Sequence, residues 1–542
     1  MNNKWKPIYM IFFLLLFYLE PTVALGQNRF NMTYLYFGRT DQYVEFVDNA
    51  RRSVGTISPN YFEINDDGSL KMTAKYNKQF VDEMHRRGIK VVPFISNHWD
   101  RALGRVALGH RVNLSTQIAN AIRDMNLDGV DVDIENLTEV DRDANTDFMA
   151  LLRSKIPITK EVSIAVAPNP YDWKNGWQGS YDYPRLAQVL TGSRDCLMIM
   201  AYDESWEGSD PGPVASLPFV DKSIQYAINK GVPRSKIVLG LPFYGRFWKT
   251  DGTLKGVGIS HWQVYDLMDR YQGTVTMDSS SQTPRFDFTI GPGDPPSTIA
   301  YKTLTTGNYT VWFDNEASLK KKLDVVRKYN IKGTGSWSLS QEEDSMWDYY
   351  SLWLNGLFFS DIQSHWAKSY IQTVQGKGWM VGVSSSRFAP DSPLTRAQGA
   401  TILVRALGLE NASPKTSFPF RDVSSSHWAR KYIHLAKEKG IISGMSETSF
   451  APDTPLTREQ MAKMLNNLMQ YSNSALPSSP PYADVSPDRW SYQVIVNLSQ
   501  RKIFSGVSTS AGLFFKPTGR TTRAEMATLM SRMATDIESL IY

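Results

Sequence analysis

The sequence predicts an α/β protein whose main part is a (β/α)8 TIM barrel, followed by three mainly helical repeats. Between residues 32 and 339, eight short apolar runs alternate with amphipathic stretches, which is the order of a barrel of parallel strands. Beyond Leu357 this alternation stops, and one motif recurs three times along the rest of the sequence. At 542 residues the chain is also too long for one core of ordinary size.

The predicted strands are short apolar runs, as expected for strands that helices cover on the outside. They are 32–37, 53–58, 90–96, 129–135, 162–167, 196–202, 237–244 and 333–339. Helix-like segments between them are 77–87, 115–126, 143–155, 220–230 and 318–329. The seventh unit is long, because residues 247–311 precede its helix. Their turn sequences predict a small α+β insertion after strand 7, since an unstructured loop of that length is rare.

The composition is that of a globular protein, with 42% hydrophobic and 21% charged residues. The formal net charge of +5 is mild and spread along the chain, which argues against a nucleic-acid partner. Cys196 is the only cysteine and lies in an apolar run. We therefore expect no internal disulfide and a buried, unreactive thiol.

The N-terminus has the features of a secretory signal peptide. Lys4 and Lys6 precede an apolar run that ends before Glu20, and small residues follow up to Gly26. The run is shorter than the roughly 18 to 20 apolar residues that a membrane span requires, so we expect cleavage after Gly26 and no membrane span in the mature chain. The predicted organisation is a signal peptide 1–26, a barrel domain 27–350 and repeats 356–412, 417–475 and 480–542.

An acidic strand carries the main chemical signal. In the predicted strand 129–135, Asp131, Asp133 and Glu135 alternate with Val and Ile, so their carboxyl groups share one face. Neighbouring carboxyl groups raise one another's pKa, and the carboxyl ends of barrel strands carry the chemistry. Glu135, the outermost, is predicted to protonate a glycosidic oxygen, with Asp133 as its partner and Asp131 as a deeper charge partner. The alternatives are a metal site and a solvated strand edge.

These residues resemble a known family. The stretch 128–135 is similar to the Asp-x-x-Asp-x-Asp-x-Glu signature of glycoside hydrolase family 18, the chitinase-like family. Met200, Tyr202 and Asp203 end the sixth predicted strand as the Met-x-Tyr-Asp motif of that family does. Trp337 ends the eighth, where the family places a tryptophan beneath the sugar. Met200 and Trp337 are accordingly predicted to contact substrate.

The resemblance implies a retaining mechanism that the substrate assists. Glu135 would protonate the leaving oxygen while the acetamido carbonyl of the same sugar attacks the anomeric carbon. Asp133 would turn towards Glu135 and the acetamido N–H group, Tyr202 would donate to the acetamido oxygen, and Asp203 would help to orient it. Trp337 would form an apolar floor. Taken singly, Tyr202 and Trp337 are also compatible with core aromatics, and Asp203 with a helix cap.

The third predicted strand departs from the pattern of many chitinases. Residues 94–100 read Phe-Ile-Ser-Asn-His-Trp-Asp where those proteins have Ser-x-Gly-Gly. With residues 58–62 and 312–314, this segment resembles the branch that contains spore-cortex and wall-lytic N-acetylglucosaminidases. His98 and Trp99 are candidates for sugar contact, although a satisfied loop histidine and a packing tryptophan are equally open.

The three C-terminal copies resemble S-layer homology domains, with Asp-to-Trp openings and Thr-Arg closings. The resemblance implies non-covalent binding of a pyruvylated secondary cell-wall polymer, with tryptophan rings beside a sugar and arginines paired with carboxylates. The predicted polymer-binding residues are Trp366, Arg396, Trp428, Arg458, Trp490 and Arg523. The alternative is that the tryptophans are buried and each arginine caps its own helix.

These features favour a secreted glycosidase held at the bacterial cell wall or S-layer. Its expected substrate is a polysaccharide with β-1,4 bonds after N-acetylglucosamine, either peptidoglycan or, as the alternative, chitin. The wall-anchoring repeats favour peptidoglycan, and no cofactor or metal is expected. A hypothesis of another class is a non-catalytic glycan-binding protein; the presence of Glu135 argues against it, because lectin-like family members have lost the acid.

Overall fold

The computed structural model describes residues 29–540, apart from positions 52, 385, 474 and 478. These residues form two compact units, one ending at Phe358 and the other beginning at Phe359. The predicted signal peptide, residues 1–26, lies outside the described residues. Within the described ranges, no helix combines the length and apolar character needed to cross a membrane.

The first unit alternates strands and helices. Its elements up to the insertion are, in chain order, β1 (Phe30–Leu35), α1 (Tyr43–Asn49), β2 (Thr56–Pro59), β3 (Phe62–Ile64), β4 (Leu70–Met72), α2 (Lys78–Arg86), β5 (Lys90–Val91), β6 (Phe94–Ser96), α3 (Arg101–Gly109), α4 (Arg111–Asp124), β7 (Gly129–Asp133), α5 (Arg142–Lys155), β8 (Glu161–Val166), α6 (Gly176–Gly179), α7 (Tyr183–Val189), β9 (Leu197–Ile199), α8 (Leu217–Asn229) and β10 (Ile237–Pro242). The elements of the insertion are β11 (Tyr244–Lys249), β12 (Val257–Ser260), α9 (His261–Arg270), β13 (Gly273–Met277), β14 (Pro284–Ile290), β15 (Ser297–Ile299), β16 (Lys302–Leu304) and β17 (Gly307–Trp312). The unit ends with α10 (Glu316–Tyr329), β18 (Gly333–Trp337) and α11 (Tyr350–Leu354).

Parallel strands of this unit form a closed ring. β1 pairs with β2 and with β18, and the pairing continues from β18 through β10, β9, β8 and β7 to β6. β2 pairs with β5, and β3 pairs with β6, which completes the ring. Pro93, which has no amide hydrogen, separates β5 from β6. The predicted (β/α)8 barrel is confirmed, and each of its eight predicted strands is present.

Apolar side chains fill both sides of the ring. Met32, Tyr34, Phe94 and Met198 pack in the barrel interior, and the opposite faces of the strands pack beneath the helices. Cys196 also lies in the interior and is fully buried, as the sequence predicts. Burial raises the pKa of its thiol to about 12, so the group is not a nucleophile at neutral pH.

The predicted α+β insertion has its own sheet and core. Five antiparallel strands lie in the order β12, β11, β17, β14 and β13, beside α9 and the β15–β16 hairpin. In its core, Tyr271, Phe286 and Tyr309 each stack on Phe288, with ring centroids 4.9 to 5.5 Å apart. The insertion follows β10 directly, so it stands at the carboxyl end of the barrel strands.

The second unit is mainly helical, as predicted. Its elements are α12 (Lys368–Gly376), α13 (Arg396–Ala406), α14 (Arg430–Glu438), α15 (Arg458–Met469), α16 (Tyr492–Gln500), β19 (Val507–Thr509), β20 (Gly512–Phe514), α17 (Arg523–Arg532) and α18 (Ala534–Glu538). The second main helix of each repeat packs on the first helix of another repeat: α13 on α14, α15 on α16, and α17 on α12.

A ring of backbone hydrogen bonds joins the three repeats. The Leu394 N–H group donates to Thr521 O, Thr521 N–H donates to Leu456 O, and Leu456 N–H donates to Leu394 O, at 2.8 to 2.9 Å. The apolar residues of all three repeats form one core. A single repeat therefore completes its core only with the other two.

Candidate active site

A cleft of about 730 Å³ lies at the carboxyl ends of the barrel strands, where the acidic residues stand. Its described lining includes five tryptophans: Trp99, Trp173, Trp177, Trp206 and Trp337. Flat apolar rings of this kind suit the faces of sugar rings. The cleft thus combines an aromatic wall with ionisable groups.

The acidic strand differs from its prediction at one end. Asp131 and Asp133 lie on β7 and are buried, with 0% and 5% of their surfaces exposed. β7 ends at Asp133, so Glu135 stands on the following loop rather than on the strand. Asn136 has a φ of 57°, in the left-handed region, and this turns the chain away from the strand direction. The prediction that three carboxyl groups share one strand face is corrected to two strand residues and one loop residue.

Asp131 lies beneath the cleft and is held by Tyr34. The Tyr34 hydroxyl donates to Asp131 Oδ2 at 2.5 Å, while Oδ1 is buried with no hydrogen-bond partner among the described residues. Burial raises the pKa of Asp131 to about 8, although the Tyr34 hydrogen bond acts in the opposite direction. Asp131 is not among the described side chains that line the cleft, so its contacts are with the barrel interior.

Asp133 and Glu135 line the cleft and have raised pKa values. Burial is the main cause for both carboxyl groups, and for Glu135 the charges of Asp133 and Asp203 act in the same direction. A carboxyl group with a raised pKa keeps its proton near neutral pH. Such a group is suited to protonate a leaving oxygen.

Asn97, which the sequence reasoning did not single out, fixes the backbone of Glu135. The Glu135 N–H group donates to Asn97 Oδ1 at 2.8 Å, and Asn97 Nδ2 donates to Glu135 O at 2.9 Å. Asn97 follows β6, the neighbour of β7 in the ring. Asn97 directly follows the predicted strand 90–96. Because the carboxyl ends of barrel strands carry the chemistry, this position is the signal that would have identified it.

Tyr202 and Asp203 line the cleft from the loop after β9. Burial raises the pKa of Tyr202 well above its ordinary value, so its hydroxyl stays protonated and can donate. Asp203 Oδ1 accepts from Tyr244 OH at 2.8 Å and from Arg246 Nε and Nη2 at 2.9 and 2.8 Å. Asp203 is therefore oriented by two residues of the insertion, Tyr244 and Arg246, which the sequence analysis missed.

The predicted substrate-contact residues separate into two groups. Trp337 lines the cleft and packs against Tyr34, with ring centroids 5.2 Å apart. Met200 and Trp99 also line the cleft. His98 is not among the described lining residues, and its Nε2 lies 3.5 Å from Glu63 Oε1. The structure thus places His98 beside β3 rather than in the cleft.

The predicted polymer-binding residues of the repeats also differ from one another. Trp366, Trp428 and Trp490 are 63%, 57% and 59% exposed, so the alternative of buried core tryptophans is wrong. The three arginines are buried, and each donates through Nε to a backbone carbonyl of another repeat. These bonds join Arg396 to Phe450 O, Arg458 to Phe515 O, and Arg523 to Phe388 O, at 2.7 to 2.8 Å. The Nε–H group of each guanidinium is thus already bonded within the fold, and no arginine caps its own helix through these bonds.

The barrel and its carboxylate-lined aromatic cleft define the class of (β/α)8-barrel glycosidases. The model of the family "Glycosyl hydrolases family 18" matches residues 32–342, more than half of the chain. The chain therefore belongs to glycoside hydrolase family 18. The S-layer homology domain model matches residues 358–400, 419–462 and 481–527, so the three repeats are S-layer homology domains.

Relatives agree with this assignment. YdhD of Bacillus subtilis (strain 168), provisionally named a sporulation-specific glycosylase, is 29% identical over 233 residues, which cover 42% of this chain and 51% of that protein. The cortical fragment-lytic enzyme of the same organism is 24% identical over 298 residues, covering 53% and 64%. The C-terminal domain of a provisionally named chitinase from Desulfitobacterium hafniense DCB-2 is 26% identical with a TM-score of 0.51, covering 60% and 99%. The chain thus spans between half and two thirds of the length of these two curated relatives.

Proposed function

We propose that this protein is a retaining glycoside hydrolase that cuts β-1,4 bonds after N-acetylglucosamine, with peptidoglycan as its substrate. The observation that carries the proposal is the pair of carboxyl groups of Asp133 and Glu135, with raised pKa values, in a cleft walled by tryptophans. Glu135, the more outward of the two, is the proton donor. The remaining residues of the site then have complementary tasks.

The first step breaks the glycosidic bond. Glu135 gives its proton to the leaving oxygen, and the acetamido carbonyl oxygen of the sugar bonds to the anomeric carbon, forming an oxazolinium ion. Asp133 accepts from the acetamido N–H group and stabilises the positive charge. The protonated hydroxyl of Tyr202 donates to the acetamido oxygen and keeps it aimed at the anomeric carbon. Trp337, packed on Tyr34, supports the sugar ring from below.

The second step hydrolyses the intermediate. Glu135, now ionised, accepts a proton from water, and the water oxygen attacks the anomeric carbon as the acetamido oxygen leaves. Two inversions give net retention, so the first product is the β-anomer. This prediction is checked by proton NMR of the products before they mutarotate.

Two features support peptidoglycan as the substrate. A relative that is 24% identical is named a cortical fragment-lytic enzyme, and residues 94–100 resemble the spore-cortex and wall-lytic branch. Three S-layer homology domains would hold the barrel beside the wall. Chitin is the second candidate, favoured by the likeness to the chitinase domain from Desulfitobacterium hafniense.

Replacing the proton donor tests the activity. Glu135→Gln keeps the shape of the side chain but has no acidic proton, so hydrolysis should fall by at least about 1,000-fold while glycan binding remains. Glu45→Gln, on the exposed face of α1, is the matched control and should hydrolyse like the parent. Release of sugar by Glu135→Gln at the parent rate would remove Glu135 from its role. Binding without turnover in parent and variants alike would favour a non-catalytic glycan-binding protein.

Product analysis decides the substrate. Mass spectrometry of digests of purified peptidoglycan and of colloidal chitin should show fragments with reducing-end N-acetylglucosamine from peptidoglycan. Chitobiose from chitin, with peptidoglycan left intact, would overturn the peptidoglycan proposal and favour chitin.

A further inference from the structure

Two loops of the barrel are fastened to each other at the proton donor. Asn97, which is fully buried, exchanges two hydrogen bonds with the backbone of Glu135, one through each end of its amide group. The same Nδ2 atom also donates to Asp100 O at 2.7 Å. One side chain thereby joins the loop after β6 to the loop after β7.

A second layer of bonds reinforces the junction. Asn136 Nδ2 donates to Trp99 O at 2.8 Å. Arg101 donates through Nε to Asn136 O at 2.7 Å and through Nη2 to Asn136 Oδ1 at 2.8 Å. Together these bonds tie Glu135 and Asn136 to the segment 97–101, and we call this group of residues the loop clamp.

The backbone of the loop clamp is held in an unfavourable conformation. His98, Trp99 and Asn136 have φ values of 48°, 66° and 57°. Non-glycine residues rarely adopt this region, and they persist in it where surrounding contacts determine the conformation. The hydrogen bonds of Asn97 and Asn136 supply such contacts. Without the two bonds from Asn97, the relaxed backbone would carry Glu135 away from its place in the cleft.

We propose that Asn97 is a positioning residue that holds the proton donor Glu135 at the geometry of reaction, with Asn136 and Arg101 as its outer support. The inference rests on the proposed function and adds a determinant of rate outside the acidic strand. Asn97 contacts the backbone of Glu135 and not its carboxyl group. Its loss should therefore lower kcat and leave substrate binding in place.

The first test is Asn97→Ala, measured by steady-state kinetics on a soluble N-acetylglucosamine oligosaccharide. Because displacement of a reacting group by about 1 Å can lower rates up to roughly 100-fold, kcat should fall about 10- to 100-fold with KM within about twofold. Asn31→Ala is the matched control. Asn31 is also buried, donates to Ser53 O and accepts from the Thr334 hydroxyl, but it lies at the start of β1, at the opposite end of the barrel. It should lose stability without loss of kcat.

A pH profile separates positioning from general destabilisation. Burial raises the pKa of Glu135, so a donor released from the clamp reaches water and its pKa falls towards the ordinary value. The alkaline limb of kcat should therefore move to lower pH in Asn97→Ala and stay in place in Asn31→Ala. An unmoved limb together with parental kcat in a folded Asn97→Ala variant would overturn the inference.

Arg101→Gln tests the outer support in case Asn97→Ala does not fold. The Arg101 side chain is exposed, so its replacement leaves the core intact, yet it removes two bonds to Asn136. We expect kcat to fall about two- to fivefold, with the alkaline limb moving in the same direction. If Arg101→Gln has the kcat and pH profile of the parent, Arg101 and Asn136 do not support the position of Glu135. If Glu135→Gln itself remained active, the proposed function would fail instead, so the two failures are distinguishable.

Discussion

Asp131 is a buried carboxyl group that is not among the described residues lining the cleft, and we expect its ionisation to affect the stability of the barrel. Tyr34 satisfies one of its oxygens, and the other has no partner among the described residues. Its pKa is raised to about 8 in the fold, whereas an aspartate in an unfolded chain has a pKa of about 3.9. Between these values the folded state holds a proton that the unfolded state has lost.

The free energy of unfolding should consequently fall as pH rises from about 4 towards 8, by up to about 1.4 kcal/mol per pH unit from this group. Asp131→Asn cannot ionise and still accepts from Tyr34, so its loss of stability between pH 5 and 8 should be smaller than that of the parent. Pulse proteolysis in urea, followed on peptides of the barrel, measures the difference.

Asp269→Asn serves as the control, because this aspartate is exposed on α9 and meets water in both states. It should keep the slope of the parent. Equal slopes in parent and Asp131→Asn would show that Asp131 ionises at its ordinary pKa despite burial.

At the residue scale, the sequence identified side chains that belong to a compact motif and missed those that assemble from distant segments. Asp133 and Glu135 belong to the motif 128–135, and Tyr202 belongs to the motif 200–203. All three were predicted as site residues, and all three line the cleft. Asn97 and Arg246 act through hydrogen bonds to residues about 40 positions away, and a single sequence does not show such pairs. His98 and Trp99 are adjacent in sequence, but Trp99 lines the cleft and His98 lies beside Glu63, because successive loop residues need not face the same way.

At the scale of elements, periodicity predicted the eight strands because each is a short apolar run that polar residues bound on both sides. It placed the end of β7 two residues too late, since Ile134 and Glu135 continue the alternation past the last ladder bond. Helices such as α1 and α3 were missed. α3 begins at Arg101, where the Asp100 side chain caps the first amides of the helix.

Each second helix of a repeat begins with an arginine that reaches another repeat. Arg523, at the start of α17, donates to Phe388 O and Val381 O and lies over the Phe388 ring at 4.4 Å. Arg523→Gln should lower the free energy of unfolding of the second unit by about 3 kcal/mol, because buried carbonyl groups lose charged donors. Urea-dependent pulse proteolysis of the full chain, followed on peptides from 359–540, measures this change.

Arg387→Gln is the matched control for that experiment. The Arg387 side chain is 68% exposed and lies 3.9 Å from Asp361, so its loss should change stability by less than about 0.5 kcal/mol. If Arg523→Gln unfolds at the same urea concentration as Arg387→Gln, the bonds of Arg523 to Phe388 O and Val381 O do not stabilise the second unit.

At the scale of the whole molecule, the two units divide the proposed function. All described residues that line the cleft lie between Tyr34 and Trp337, within the first unit. The repeats form one closed core, so they present their exposed tryptophans as a set from a single folded body. The repetition of the motif predicted the three copies. The packing of the second helix of each repeat on the first helix of another repeat follows from tertiary structure and has no local signal in the sequence.

This division predicts that wall attachment and hydrolysis are lost separately. In a variant with Trp366→Ala, Trp428→Ala and Trp490→Ala, co-sedimentation with cell walls that retain their secondary polymer should weaken at least about tenfold, because exposed aromatic rings supply contact with sugars. Hydrolysis of a soluble oligosaccharide should keep its kcat/KM within about twofold. Trp262→Ala, which removes an exposed tryptophan from the barrel unit, is the control and should sediment like the parent. Parental sedimentation of the triple variant, or equal sedimentation of the parent with walls stripped of the polymer, would show that these rings do not anchor the enzyme.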